Sequence, residues 1–365
     1  MGIAELKISF NEEKRKALEG ASTGVVMMIL KESSLSGIKE YGSFEDVKEK
    51  YTKENLKYIQ DAFIGNVQDI RVGNVLEERY YTPNKVIVYA LASSDNLDNA
   101  LKIIKNFEFN YMCMPDATDE VENPKLVEFI KTNNDDGFDA NLLIVTKKSS
   151  NSSDIIEFES EDIEGSKTLK SKDLLPFLCG ACAGTPLTQS VTYCNVPFVD
   201  NIPKRTNEEV SSSIDKGKLV LIKKAGKVKI ARGITSLTEP PRGVGNSFKK
   251  IKLVRTYKFI NNAIKKSISN YYVGKVSNNY DNKCLLISEI QNYLSELAGE
   301  GIIERDFSVG IDIEANKNYM KEIGMDTSRF TAQQIKEANT GSKVFLAITL
   351  RGVDAMEDFY ININV

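Results

Sequence analysis

Strand and helix patterns take turns from Val86 to Thr146, and that alternation limits the folds open to this 365-residue chain more than any other feature. Val86 to Ala92, Tyr111 to Met114 and Leu142 to Thr146 are short apolar runs, and between them Asn96 to Phe107 and Pro124 to Thr132 have helical spacing. Continuous apolar runs fit strands covered on both faces, and strand, helix, strand order predicts a mostly parallel sheet with right-handed crossovers. The expected fold class is α/β. Val25 to Leu30 reads as a further buried strand.

The remaining elements follow from local signals. Ser43 to Phe63 opens on Ser-x-x-Asp and carries Phe44, Val47, Tyr51, Leu56, Ile59 and Phe63 at roughly helical spacing, which predicts one helix. Ile155 to Phe158 is read as hairpin-like, Lys172 to Ala183 as a helix, and Leu219 to Lys223 with Val228 to Ala231 as a hairpin around Gly226. The clearest loop, Glu239 to Gly243, is taken as the start of a C-terminal part. Amphipathic helices are expected over Phe248 to Tyr272 and Asn282 to Ala298, with a short one over Thr331 to Ala338. A strand from Val344 to Leu350 is expected to pair back with Phe307 to Ile313. The expected organisation is an arm and linker over 1–20, an α/β region over 21–240, an α+β C-terminal domain over 241–355 and a second arm over 356–365.

Both ends of the chain alternate with a period of two. Leu6, Ile8 and Phe10 are interleaved with Lys7 and Ser9, and Phe359, Ile361, Ile363 and Val365 with Tyr360, Asn362 and Asn364. Each end therefore has an apolar stripe and a row of unpaired backbone donors and acceptors, an edge that must be covered or given to another chain. A chain that ends on an apolar strand residue is expected to dock that strand, and a neighbouring copy is one place for it.

Composition excludes several function classes. Lys and Arg number 48 against 51 Asp and Glu, which gives no overall reason to expect nucleic acid or an acidic membrane as partner. Histidine is absent, so the commonest general base, metal ligand and partner of a Ser or Cys nucleophile is missing. The five cysteines, Cys113, Cys179, Cys182, Cys194 and Cys284, lie in apolar segments and fit reduced thiols of a cytoplasmic protein. No signal peptide pattern and no membrane-length apolar run is visible, and neither a metal nor a cofactor is expected.

Three motifs admit a functional and a plain structural reading. Cys179-Gly180-Ala181-Cys182 has the spacing of a redox dithiol, as a cytosolic α/β redox enzyme would need, but sits late in an apolar helix, where small residues serve packing. The turn Ser93-Ser94-Asp95-Asn96 after the Val86 strand lacks the glycines of a phosphate-binding loop. The basic run Lys249, Lys250, Lys252, Arg255, Lys258, Lys265 and Lys266 has three readings: phosphate tracking in a nucleic-acid-binding module, a solvated helix face, or a surface complementary to an acidic patch on another copy.

Several strings together carry a family likeness. Lys249-Lys250-Ile251 through Gly274-Lys275-Val276-Ser277-Asn278-Asn279, followed by the Leu285 to Gly301 helix, resembles the core of contractile tail sheath proteins of phages and R-type bacteriocins. Ala183-Gly184-Thr185-Pro186-Leu187-Thr188-Gln189-Ser190 and Ala231-Arg232-Gly233-Ile234-Thr235-Ser236-Leu237-Thr238 resemble two further segments of that family. The opening up to Leu30 is similar to sheaths of defective prophages and clostridial, diffocin-like bacteriocins. The resemblance implies a multi-domain tail sheath fold with extended terminal strand arms and a non-enzymatic subunit that polymerises around a tail tube and contracts to drive it through a cell envelope. Expected partners are neighbouring sheath copies, the tube, the baseplate and the tail terminator, with assembly in the cytoplasm before release in the particle. Thr331 to Ala338 corresponds, by the same resemblance, to a tube-facing helix, with Gln333, Gln334, Lys336 and Glu337 as its exposed candidates. An ordinary surface helix is the alternative.

Overall fold

In a computed structural model the described residues are 24–33, 35–135, 137–159, 170–242 and 245–363. The expected strand through Leu6, Ile8 and Phe10, the linker Asn11 to Gly20, and Gly243, Asn364 and Val365 lie outside them. The chain divides into two compact units, one running to Val254 and taking in the chain again from Glu357, the other spanning Arg255–Met356.

The first unit is built on a seven-stranded sheet. Its strands are β1 (Val25–Glu32), β2 (Gly37–Tyr41), β5 (Lys85–Ala92), β6 (Tyr111–Cys113), β7 (Asn141–Val145), β8 (Ile155–Phe158) and β9 (Lys218–Leu219). They stand in the order β2-β5-β1-β6-β7-β8-β9, all parallel to their neighbours except β2, which runs antiparallel to β5. Strand β3 (Asn66–Val72) and strand β4 (Val75–Tyr81) form a separate antiparallel ribbon, as do β10 (Leu221–Lys224) and β11 (Lys227–Ile230).

The inner strands β1, β5 and β6 are covered on both faces, which is why they are mostly apolar rather than alternating. Along β1, Val26, Met28 and Leu30 face a core shared with helix α1 (Lys53–Ile64) and helix α4 (Leu175–Gly184). Met27 and Ile29 face the other core, shared with α2 (Leu97–Ile104) and α3 (Glu122–Asp135). Helix α5 (Asn207–Asp215) is opened by a full Thr206 and Glu209 capping box.

Three expectations are corrected here. Ser43 to Phe63 is not one helix: Ser43 and Asp46 cap a single 3-10 turn, Phe44–Asp46, and Thr52 then caps α1. The Thr52 amide donates to Glu32 at 2.7 Å, which fixes that second start against β1. Ile155 to Phe158 is no hairpin, because β8 lies parallel between β7 and β9. Lys172 to Ala183 opens as a 3-10 turn, Ser171–Leu174, before Pro176 leads α4 away. The β10 and β11 hairpin forms as expected, turning at Ala225 and Gly226 with φ values of 50° and 79°.

The second unit contains most of α6 (Ile251–Tyr271), together with α7 (Tyr280–Gly299), α8 (Ile313–Glu322) and α9 (Ala332–Glu337). Leu294 and Leu297 of α7 are fully buried, as is Met320 of α8. Strand β12 (Ser308–Ile311) pairs antiparallel with β13 (Leu346–Thr349), as expected from the sequence. The two make a two-stranded ribbon, so each strand has one edge without a ladder among the described residues.

Candidate assembly surfaces

Beyond Asp358 the chain exposes what a folded body normally hides. Phe359 is 70 %, Ile361 78 % and Ile363 82 % exposed, and no strand ladder includes residues 359–363. The apolar row read from the sequence is therefore present and largely exposed among the described residues. Leu6, Ile8, Phe10 and Val365, the other residues assigned to the arms, fall outside the described residues.

The root of this segment is fixed at one residue. The Glu357 side chain is only 5 % exposed, and Lys250 Nζ lies 3.2 Å from its Oε2. Arg232 Nε is 3.8 Å from the same oxygen and also pairs with Asp358. On the other carboxylate oxygen, Thr192 Oγ1 donates at 2.6 Å and Ser190 Oγ lies at 3.0 Å. Ser190 and Arg232 come from the two family-like segments, Ala183 to Ser190 and Ala231 to Thr238. Sequence reading missed Glu357, since its partners lie 107 to 167 residues away with no spacing rule to join them.

The basic run does not form one surface strip. Ile251, Leu253 and Val254 in the first turn of α6 are buried, and Lys252 is buried with them at 6 % exposure. Lys252 is thereby withdrawn from the proposed inter-subunit face, because the helix starts inside the first unit with that whole turn enclosed. Lys250 is engaged with Glu357, while Lys249, Arg255 and Lys258 are half-buried. Only Lys265 and Lys266 of the run are open to solvent.

Of the four candidates on helix α9, Gln333, Gln334 and Glu337 are exposed, Lys336 is half-buried rather than exposed, and Ile335 is the inward residue. Three of the four are partly committed. Gln334 Oε1 accepts from the Thr331 amide at 2.9 Å in a capping box, and Gln333 Nε2 donates to Glu337 at 2.6 Å.

The Cys179 and Cys182 pair is built for packing. Both thiols are buried, and burial pushes the Cys179 thiol well above its ordinary pKa, with a hydrogen bond to Cys113 acting in the same direction. A protonated, enclosed thiol is a poor nucleophile. Gly180 between them lets α4 touch α1, since a Cβ there would lie 1.9 Å from the Ala62 carbonyl oxygen. Among the described residues no group of three or more Cys, Asp or Glu is placed to hold a metal ion, and no helix is long and apolar enough to cross a membrane.

Comparison with known proteins gives one consistent answer. Residues 90–236 match the phage tail sheath protein central domain and residues 244–365 match the phage tail sheath C-terminal domain. The tail sheath protein of Clostridium phage phiCD119 is 34% identical over 365 residues, covering 100% of this chain and 99% of the relative. The fold is shared with the crystal structure of a sheath tail protein from Desulfitobacterium hafniense, at a TM-score of 0.63 and 17% identity over 80% of this chain and 90% of that one. It is shared equally with the contracted helical sheath of the anti-feeding prophage, at a TM-score of 0.63 and 14% identity over 94% and 93%. The chain thus belongs to the phage tail sheath family and is a structural subunit of a contractile tail sheath, not an enzyme.

Proposed function

We propose that this subunit polymerises helically around a tail tube and that its C-terminal segment adds as a strand to a neighbouring copy. The observation that carries this is the row Phe359, Ile361 and Ile363, each at least 70 % exposed. Strand addition would use main-chain hydrogen bonds for affinity and the alternating side chains for register. The open edges of the β12 and β13 ribbon on a neighbouring copy are the acceptors this reading favours. Leu6, Ile8 and Phe10 form the corresponding N-terminal arm in the same proposal.

Gln333, Gln334, Lys336 and Glu337 of α9 face the tube, and Lys249, Lys250, Arg255 and Lys258 contribute to contacts between copies. The baseplate and the tail terminator close the two ends of the polymer. The subunit is made in the producing cell's cytoplasm and leaves as part of a phage tail or an R-type bacteriocin particle. Contraction is a two-state repacking of the whole polymer that drives the tube through a target envelope. A difference of ~1 kcal/mol per copy, small beside the stability of one domain, adds up along the polymer. The test is negative-stain microscopy of the purified protein and of a variant lacking Asp358 to Val365. The full chain is expected to form tubes and the truncation to stay a folded monomer; normal tubes from the truncation contradict strand donation.

A further inference from the structure

The Glu357 side chain is buried in an otherwise largely exposed segment. Met356 before it is 88 % exposed, Phe359 and every described residue after it are exposed, and yet its carboxylate meets four side chains from three separate stretches of the body. Two acidic groups, Glu357 and Asp358, stand against two basic ones, Arg232 and Lys250, so the socket has no unbalanced charge of its own. The socket is also stiff. Thr192 Oγ1 accepts from the Gly233 amide at 2.9 Å, Ser190 Oγ accepts from the Thr192 amide at 3.1 Å, and a Cβ on Gly233 would lie 2.7 Å from Val191.

A segment this exposed among the described residues gains little by having one side chain held this firmly, unless the point at which it leaves the body matters. We propose that Glu357 is a positioning residue: with Ser190, Thr192, Arg232 and Lys250 it clamps the root of the C-terminal segment and sets where that segment exits toward a second copy of this chain. This rests on the strand-donation reading above. Fixing the root lowers the conformational freedom that docking must remove, so the clamped segment is preorganised for its acceptor. It also limits reach. Residues 359–365, fully extended, span about 25 Å, so the acceptor edge begins within about that distance of Glu357.

The experiment uses the full chain and three variants: Glu357→Ala, Arg232→Ala, which leaves the tail sequence untouched, and the truncation lacking Asp358 to Val365. Each is scored by thermal melting, by the rate of chymotrypsin cleavage after Phe359, and by the protein concentration at which tubes appear. Clamping predicts cleavage on the order of 10-fold to 100-fold faster in Glu357→Ala and on the order of 10-fold faster in Arg232→Ala, matching the loss of hydrogen bonds to a charged group. The tube threshold is expected to rise on the order of 10-fold in both, with melting little changed. Wild-type cleavage and threshold in Arg232→Ala, with no tubes from the truncation, overturn the clamp and leave strand donation standing. A fall in melting with no separate change in cleavage or threshold makes the contact merely structural and overturns it too. Normal tubes from the truncation overturn both readings.

Discussion

Strand β1 and the segment after Asp358 are both rich in aliphatic side chains, and they meet opposite fates. From Val26 to Leu30 every residue is at most 1 % exposed, because the sheet is covered on both faces and paired on both edges. Phe359, Ile361 and Ile363 are 70 to 82 % exposed, with no ladder at all. The difference is one of supply. The chain provides α1, α4, α2 and α3 to cover β1, and among the described residues no helix or strand covers residues 359–363. What stabilises the first region is intramolecular and present in a monomer; what stabilises the second, in the strand-donation proposal, is another copy.

That contrast breaks most visibly in the body. Glu157 is fully buried and paired to Lys218 at 2.6 Å, so Glu157→Ala leaves a mostly buried ammonium without its carboxylate, held only by the Thr146 and Lys148 carbonyls, and is expected to cost about 3 kcal/mol, read by urea unfolding. Gly180→Ala forces α4 off α1 against a backbone oxygen, at a cost of about 1–3 kcal/mol by the same measurement. A smaller loss is expected on acidification. Burial works to raise the Asp69 pKa, but hydrogen bonds from Lys227, Lys229 and Asn195 outweigh it and hold the carboxyl at about 2. A depressed folded-state pKa contributes stability that is present above the unfolded-state value and lost as pH falls. The melting temperature should therefore drop between about pH 4 and pH 2, less steeply in Asp69→Asn.

The tail should respond in the reverse sense. Ile361→Asp is expected to change monomer stability by no more than about 0.5 kcal/mol and yet abolish tubes, since it puts a charge on the row to be buried only between copies. Lys336→Glu should leave both stability and sheath tubes intact and weaken co-sedimentation with the tail tube. Unchanged sedimentation removes Lys336 from the tube-facing surface.

Reading the sequence succeeded where a periodic pattern is long and local. The alternation from Val86 to Thr146 gave the parallel order because each apolar run is flanked by a helix of its own, and Gly226 marked the β10 and β11 turn. It failed where direction or distance decides. Ile155 to Phe158 is four residues long, and nothing in four residues distinguishes a parallel partner from a hairpin. Ser43 to Phe63 has helical spacing overall, but the second cap at Thr52 depends on Glu32, which is remote in sequence. The ribbon of β3 and β4 was not read at all: past Asp69 its apolar and charged residues do not alternate regularly, and most are exposed. Lys252 looked like a surface charge because helical periodicity shows which side is basic, not whether the turn is enclosed. Glu357 was beyond reach, since its importance lies only in what folding brings to it.

In strand donation, residues 359–363 gain their backbone partners from another molecule. Amide hydrogen exchange of the C-terminal peptide, compared between monomer and assembled tubes, tests it most directly. Rapid exchange in the monomer and strong protection in the tubes is the predicted result; equally rapid exchange in both would contradict it.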